Sequence, residues 1–181
     1  MRQSAVLKVT RHEEIAGLAR ALYRRLHPSP CPEIRREELH RGARRVVASF
    51  ARQLPAGLTP ACVLAEFEER IEPQQLGSEA DYLKSVRRDA PPRLTRPQRR
   101  AVWSAAAKVY AWVNGERGCV TTDQMLAAAT AALRENPGHP LGIAGAAVDG
   151  RLKLSPVERD FLLACARSGD CDILVGNGKI T

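Results

Sequence analysis

Apolar side chains recur every three to four residues along most of this chain, which is the spacing of one face of an α-helix. The first such segment covers residues 15–22, and Thr10 with Glu13 has the spacing of a capping box that begins a helix. Three prolines in residues 27–32 cannot continue a helix. The pattern therefore predicts a first helix that ends near Leu26.

A second helix is predicted over residues 33–54, with its apolar side chains on one face. Its other face carries six arginines, Arg35, Arg36, Arg41, Arg44, Arg45 and Arg52. Glu33, Glu37 and Glu38 lie close enough in sequence to neutralise part of this charge through i,i+4 pairs. The face is therefore either a binding surface or a solvated surface of mixed charge.

Thr59 before Pro60 is the preferred order for a helix cap and first helical residue, so a third helix is predicted there. Its exposed side is expected to be acidic, with Glu66, Glu68, Glu69 and Glu72. Ser78 begins a short fourth helix, and Asp81 follows three residues on. Residues 89–97, with the sequence DAPPRLTRP, are then expected to form an extended, proline-stiffened linker.

Thr95 and Gln98 have capping-box spacing and begin a long helix through Val113, which Asn114 and Gly115 are expected to terminate. A further helix is predicted from Thr121 to about Leu133. It could belong to a helix-turn-helix that extends to the helix beginning at Ser155. A base-reading helix without basic neighbours is a poor candidate, however, because this half of the chain is nearly neutral.

Residues 140–150 are apolar but interrupted by glycine, which we interpret as a close-packed short helix. Ser155, Pro156 and Glu158 combine an N-cap, a first-turn proline and a capping-box glutamate. The end of the chain has the sequence of a small β-hairpin across residues 176–178. We therefore predict a mainly α protein, a compact helical bundle of about seven helices, to which this small C-terminal β-hairpin could be added.

The amino-acid composition supports the mainly α class and favours a cytoplasmic location. The 181 residues are 44% hydrophobic but only 4% aromatic, so the core must be built mostly from Leu, Val and Ala, which argues against a β-sandwich. No apolar run is long enough for a membrane span or a signal peptide, so a cytoplasmic location is expected. The five cysteines, an odd number without a C-x-x-C pair, are expected to be reduced core residues.

The positive charge is unevenly distributed. The net charge is +8, yet residues 1–110 hold 21 Lys and Arg against 12 Asp and Glu, whereas residues 111–181 hold 7 against 8. A basic N-terminal helical region, residues 1–92, and a near-neutral C-terminal helical region, residues 93–181, are therefore predicted, with one continuous domain as the alternative. Such asymmetry favours nucleic acid as a partner. The arginine excess also fits the codon usage of a GC-rich bacterial or phage genome.

The strongest candidate site is the basic stretch that flanks the linker. It comprises Lys84, Arg87, Arg88, Arg93, Arg96, Arg99 and Arg100, and a second group comprises Arg41, Arg44 and Arg45. Guanidinium groups at helix ends could contact a phosphate backbone, to which the helix that Thr95 caps would add backbone amides. Tyr23, Tyr82 and Trp112 are the aromatic residues expected to be exposed for base stacking.

Catalytic signals are missing from the sequence. No phosphate-binding loop, zinc-protease motif, nucleophile elbow or dinucleotide fingerprint occurs, and the paired carboxylates are expected to face solvent. His27, Cys31 and His40 lack the paired spacing of a zinc site. We therefore expect no cofactor, no metal and no enzyme activity, although an enzyme assembled from distant residues is a third reading.

The leading hypothesis is a non-enzymatic accessory protein that contacts nucleic-acid phosphates, as a regulator or as a subunit of a nucleoprotein assembly. The alternative is an adaptor or inhibitor that docks on an acidic protein surface. The alternative predicts an exposed apolar patch around Trp112, Leu141 or Ile143.

Overall fold

A computed structural model describes residues 5–27, 29–85, 93–135, 143–167, 172–175 and 178–179. In chain order its elements are β1 (Ala5–Val9), α1 (His12–Leu26), α2 (Arg36–Ser49), α3 (Pro60–Glu66), α4 (Glu79–Lys84), α5 (Arg96–Tyr110), α6 (Thr122–Glu135), β2 (Ile143–Val148), α7 (Pro156–Arg167), β3 (Asp172–Val175) and β4 (Gly178–Lys179). The predicted mainly α class is confirmed. The short strands β1 and β2, however, were not expected.

Contacts divide the chain into two compact units. One, here called the sheet unit, contains Met1–Pro30 and Thr122–Thr181, and the other, the helical unit, contains Cys31–Thr121. The predicted boundary between residues 92 and 93 therefore falls inside the helical unit. Residues 86–92, which include the first four residues of the predicted linker, lie outside the described part of the chain. Separate folding of residues 1–92 and 93–181 stays a prediction.

The sheet has the strand order β1-β2-β3-β4. β1 and β3 both pair with β2 in parallel, and β4 pairs with β3 antiparallel. The last pair is the predicted hairpin, although residues 176 and 177 of its turn lie outside the described residues. The predicted helix within residues 140–150 is wrong, because Ile143–Val148 forms the central strand. Periodicity alone does not separate a short apolar strand from a short buried helix.

The helices of the sheet unit bury one apolar face each. In α1 this face includes Ile15, Ala19 and Leu22, which confirms the predicted stripe. α6 packs against both α1 and α7. α7 likewise buries Phe161, Leu162 and Cys165. Because β2 separates α6 from α7 along the chain, the helix-turn-helix considered for this segment is wrong.

The start of α1 is capped one residue later than predicted. Glu14, not Glu13, turns back, and its Oε2 accepts hydrogen bonds from the backbone amides of Thr10 at 2.5 Å and Arg11 at 3.1 Å. The predicted Thr10–Glu13 capping box is therefore wrong in register. These amide bonds, mainly the one from Thr10, and the positive charge of Arg11 hold the pKa of Glu14 below its usual value.

We expect this cap to weaken in acid. Because the pKa of Glu14 is lowered by folding, its stabilisation of α1 is present above the ordinary glutamate pKa and is lost as the pH falls through the lowered value. Carboxyl-carbon NMR of Glu-labelled protein would measure this directly. The prediction fails if the Glu14 signal titrates at or above the ordinary glutamate value.

α2 and α5 of the helical unit run antiparallel. Gly42 lies against the indole of Trp112, the ammonium of Lys108 lies 4.3 Å from the centroid of the Phe50 ring, and Gln98 Nε2 donates to the Ala56 carbonyl at 3.0 Å. Later residues of α2 and of the turn after it therefore contact earlier residues of α5 and its C-terminal extension, as expected for antiparallel helices. α2 is shorter than predicted, since Glu33 instead forms an isolated parallel bridge with Val120.

π-helical turns extend two helices of this unit. α3 continues through Phe67–Ile71 and then Glu72–Gln74, and α5 continues through Ala111–Glu116. The predicted stop at Asn114 and Gly115 is therefore wrong, because the second π turn includes both residues. Glu66 and Glu72 are buried, so two of the four positions on the predicted acidic outer face are also wrong.

Each of these buried carboxylates accepts a hydrogen bond from a tyrosine. Tyr82 donates to Glu66 Oε2 at 2.7 Å, and Tyr110 donates to Glu72 Oε2. Arg70 Nε also lies 3.4 Å from Glu66 Oε1. A buried carboxylate needs such partners, because burial without them is costly.

Candidate nucleic-acid interface

Three of the predicted arginines lie together on the exposed side of α2. Arg41, Arg44 and Arg45 are all exposed. At about 100° of rotation per residue they fall within an arc of about 100° around the helix axis. With Glu38 they line an open depression of about 560 Å³. This cluster is called the arginine face below.

The carboxylates near the arginine face do not neutralise it. Glu38 pairs with the guanidinium of Arg117, and Glu37 contacts Arg41 only through its backbone carbonyl, which accepts from Nε at 3.3 Å. Among the described residues no carboxylate lies within ion-pair distance of Arg41, Arg44 or Arg45. The i,i+4 neutralisation that the sequence suggested is therefore not formed at these three side chains.

The cations of the basic stretch at the predicted linker have different surroundings in the structure. Lys84, Arg93 and Arg96 are exposed, and no described carboxylate pairs with them. Lys84 and Arg96 line a second open depression of about 680 Å³, together with Leu83 and Leu94. Arg87 and Arg88 lie outside the described residues. The two depressions share no lining residue.

Arg99, in the middle of this stretch, makes contacts within the fold. Its guanidinium donates to the carbonyls of Tyr82, of Leu83 at 2.8 Å and of Ser85 at 3.2 Å. It also lies over the Tyr82 ring, 4.8 Å from the centroid. Arg99 therefore caps the C-terminal end of α4, where carbonyl groups lack helical partners.

The side chain of Arg100 is more exposed than that of Arg99. Its Nε lies 3.2 Å from Glu79 Oε1, and both side chains are largely exposed. A solvated pair of this kind contributes little to stability, but it offsets part of the charge that Arg100 would present to an anion. Apart from Arg99, whose donors are used within the fold, Lys84, Arg93 and Arg96 are therefore the described cations of this stretch without a carboxylate partner.

The aromatic residues expected at the surface are not available for base stacking. Tyr82 is fully buried and Tyr23 is buried, so both predictions of exposure are wrong. Trp112 is half-buried and packs on Gly42. The apolar patch that an adaptor would present around Trp112 is therefore partly used in the core, and Leu141 lies outside the described residues.

Two histidine–carboxylate pairs were missed by sequence reasoning. His12 Nδ1 lies 2.7 Å from Glu158 Oε1, and His40 Nδ1 contacts Glu68 Oε1. The first pair joins positions 146 residues apart, and no local spacing rule relates such positions. The capping motif at Ser155 did predict where Glu158 would sit on its own helix, but not its partner.

The cysteines are only partly core residues. Cys165 is buried as predicted, whereas Cys62 and Cys119 are half-buried and Cys31 is exposed. Cys171 lies outside the described residues. Within the described ranges, no group of three or more His, Cys, Asp and Glu side chains could hold a metal ion, and no helix is both long and apolar enough to cross a membrane.

A function for this chain must come from the chemistry of these side chains. No protein-family model matches the sequence, and comparison with curated proteins finds no significant relative.

Proposed function

We propose that this chain is a nucleic-acid-binding accessory protein that contacts the phosphate backbone through the arginine face of α2. The observation that carries the proposal is the absence of any described carboxylate partner for Arg41, Arg44 and Arg45, although all three are exposed around one depression. Surface arginines without carboxylate partners keep N–H donors for phosphate oxygens.

The charge of the helical unit supports this proposal. Residues 31–121 contain 16 Lys and Arg against 11 Asp and Glu, a net charge of +5. Of the acidic side chains, Glu66 and Glu72 are buried with tyrosine partners, so they contribute less to the surface than their number suggests. Such a surface attracts a polyanion before any specific contact forms.

Lys84, Arg93 and Arg96 form a second phosphate-contacting group in this proposal. The aromatic residues that the sequence suggested for base stacking, Tyr23, Tyr82 and Trp112, are buried or half-buried. The mechanism is therefore electrostatic positioning on the backbone, not the reading of bases.

An acidic protein is the second candidate partner, and one observation favours it. Leu83 and Leu94 lie in the same depression as Lys84 and Arg96, which combines apolar and cationic contacts. Protein interfaces commonly have an apolar centre with a charged rim. The arginine face, whose lining has no apolar residue, fits this description less well.

Fluorescence anisotropy with labelled single-stranded and double-stranded DNA and RNA tests the proposal. The variant Arg41→Gln/Arg44→Gln/Arg45→Gln is expected to bind at least about tenfold more weakly than the wild type, because each lost phosphate contact removes a favourable charge interaction. The matched control is Arg25→Gln/Arg151→Gln/Arg159→Gln, which removes the same charge from exposed positions of the sheet unit. Equal losses in the two variants would mean that only net charge matters, and the proposed interface would be wrong.

A further inference from the structure

The first turns of α1 and α7 are joined by a hydrogen bond at one edge of the parallel sheet. β1 and β2 end in register at Val9 and Val148, and the Asp149 amide donates to the Val9 carbonyl at 2.8 Å. α1 follows β1 directly, and α7 follows β2 after a short turn. His12 and Glu158 therefore lie beyond the carboxyl ends of adjacent parallel strands, where α/β sheets commonly place their ligands.

Glu158 is held in one orientation. Its side chain is only 9% exposed, and its Oε2 accepts from the Ser155 amide at 2.8 Å. Its own amide donates back to Ser155 Oγ at 3.3 Å, which completes the predicted capping box. The remaining oxygen, Oε1, faces His12 Nδ1 at 2.7 Å.

This geometry decides the tautomer of a neutral His12 ring. A carboxylate is only an acceptor, so Nδ1 must carry the proton and Nε2 must carry the lone pair. The His12 side chain is 51% exposed, and no described group bonds to its Nε2. A buried carboxylate bonded to one nitrogen of an imidazole whose other nitrogen has no described partner is the arrangement that orients histidines for catalysis.

We propose that His12 is a reactive histidine, oriented by Glu158 as a positioning residue, and that it attacks small activated acyl esters at the carboxyl edge of the sheet. This class of substrate suits a single oriented imidazole, because a good leaving group departs without a proton from the protein. The site belongs to the sheet unit and is independent of the nucleic-acid interface proposed for the helical unit.

The step balances with p-nitrophenyl acetate as the probe. The Nε2 lone pair bonds to the acetyl carbon, the bond from that carbon to the phenolic oxygen breaks, and p-nitrophenolate leaves with the electron pair. Water then cleaves the acetylimidazolium and releases acetate and two protons. His12 is left neutral, with its proton still on Nδ1.

The rate of p-nitrophenolate release by the full chain tests the proposal. The chain has four histidines, and thiols such as the exposed Cys31 also react with this ester, so an ordinary surface histidine would account for a quarter of the rate or less. We expect His12→Gln to lower the rate at least about tenfold, because an oriented imidazole exceeds a free one. His40→Gln is the control, since His40 is also partly exposed and paired with a glutamate but belongs to the helical unit. A loss of a quarter or less in His12→Gln would overturn the proposal, as would an equal loss in His40→Gln.

Glu158→Gln separates orientation from folding. Glutamine also serves at this position of a capping box, so α7 keeps its cap. Its amide nitrogen would donate to Nδ1, and the neutral ring would then carry its proton on Nε2 and lose the reactive lone pair. Nitrogen-15 NMR should show the His12 proton on Nδ1 in the wild type and on Nε2 in this variant, with the rate reduced to that of His12→Gln. A wild-type proton on Nε2, or an unchanged rate in a variant whose tautomer has switched, would contradict the proposal.

Discussion

Replacing Gly42 with alanine should lower the free energy of unfolding of the protein by about 1–3 kcal/mol or more, the usual cost of overpacking a core. A Cβ built on Gly42 would lie 1.9 Å from Cη2 of Trp112 and 2.3 Å from its Cζ3. Contacts this short require the indole or α2 itself to move. Because α2 and α5 meet at this point, the change should loosen the packing on which the arginine face depends.

Urea unfolding would measure this effect, with Gly17→Ala as the matched control. A Cβ on Gly17 meets nothing within 4 Å, so alanine in α1 should stabilise the protein by about 0.5–1 kcal/mol. A double variant, Gly42→Ala/Trp112→Leu, should recover part of the loss, because the smaller side chain removes the clash. A neutral effect of Gly42→Ala alone would show that Trp112 does not pack there.

Replacing Arg99 with alanine should destabilise the protein by about 2–3 kcal/mol, the range expected when a charged donor to several carbonyls is removed. The variant loses the cap on α4 and leaves the carbonyls of Tyr82, Leu83 and Ser85 without this partner. Arg99→Lys should recover only part of the loss, because an ammonium lacks the planar fork that bonds several carbonyls at once.

Arg100→Ala is the control for Arg99, since it removes the same charge one residue along the helix. Its exposed pair with Glu79 is worth about 0–1 kcal/mol, so the free energy of unfolding should change little. Thermal and urea unfolding of both variants would compare them. If the two substitutions lower the free energy of unfolding equally, Arg99 has no capping role and is an ordinary surface cation. Reversing the charge at Arg99 would change the stability of the protein as well as its binding, so variants that test nucleic-acid binding should keep Arg99.

Local sequence signals predicted much of the helical structure. The Thr95–Gln98 and Ser155–Glu158 capping boxes are both present, and Thr59 and Ser78 cap α3 and α4 as expected. These motifs succeed because each involves residues three apart, whose geometry is fixed by the helix itself. The exposure of Arg41, Arg44 and Arg45 was predictable for the same reason.

Features that depend on distant partners were not predictable in this way. β2 is a strand because β1 and β3 lie on either side of it, although its sequence alone is equally suited to a buried helix. Tyr82 is buried because it bonds to Glu66 inside the unit. The role of Arg99 likewise depends on α4, from which the undescribed residues 86–92 separate it in sequence.

The π turns account for the largest error along a single helix. A π turn adds a residue to the turn and rotates every later side chain relative to the α-helical pattern. Glu72 therefore faces inward, where Tyr110 donates to it, and not outward as a period of 3.6 predicts.

The salt dependence of nucleic-acid binding tests the central claim most directly. For the wild type and the Arg41→Gln/Arg44→Gln/Arg45→Gln variant, the logarithm of the association constant for duplex DNA would be plotted against the logarithm of the salt concentration. If the three arginines each neutralise one phosphate, the slope of the variant should be shallower by about three, since each contact contributes about 0.9. The matched control triple in the sheet unit should keep the wild-type slope. An unchanged slope in the arginine-face variant, or no binding by the wild type at low salt to any of the four nucleic acids, would contradict a phosphate-contacting role.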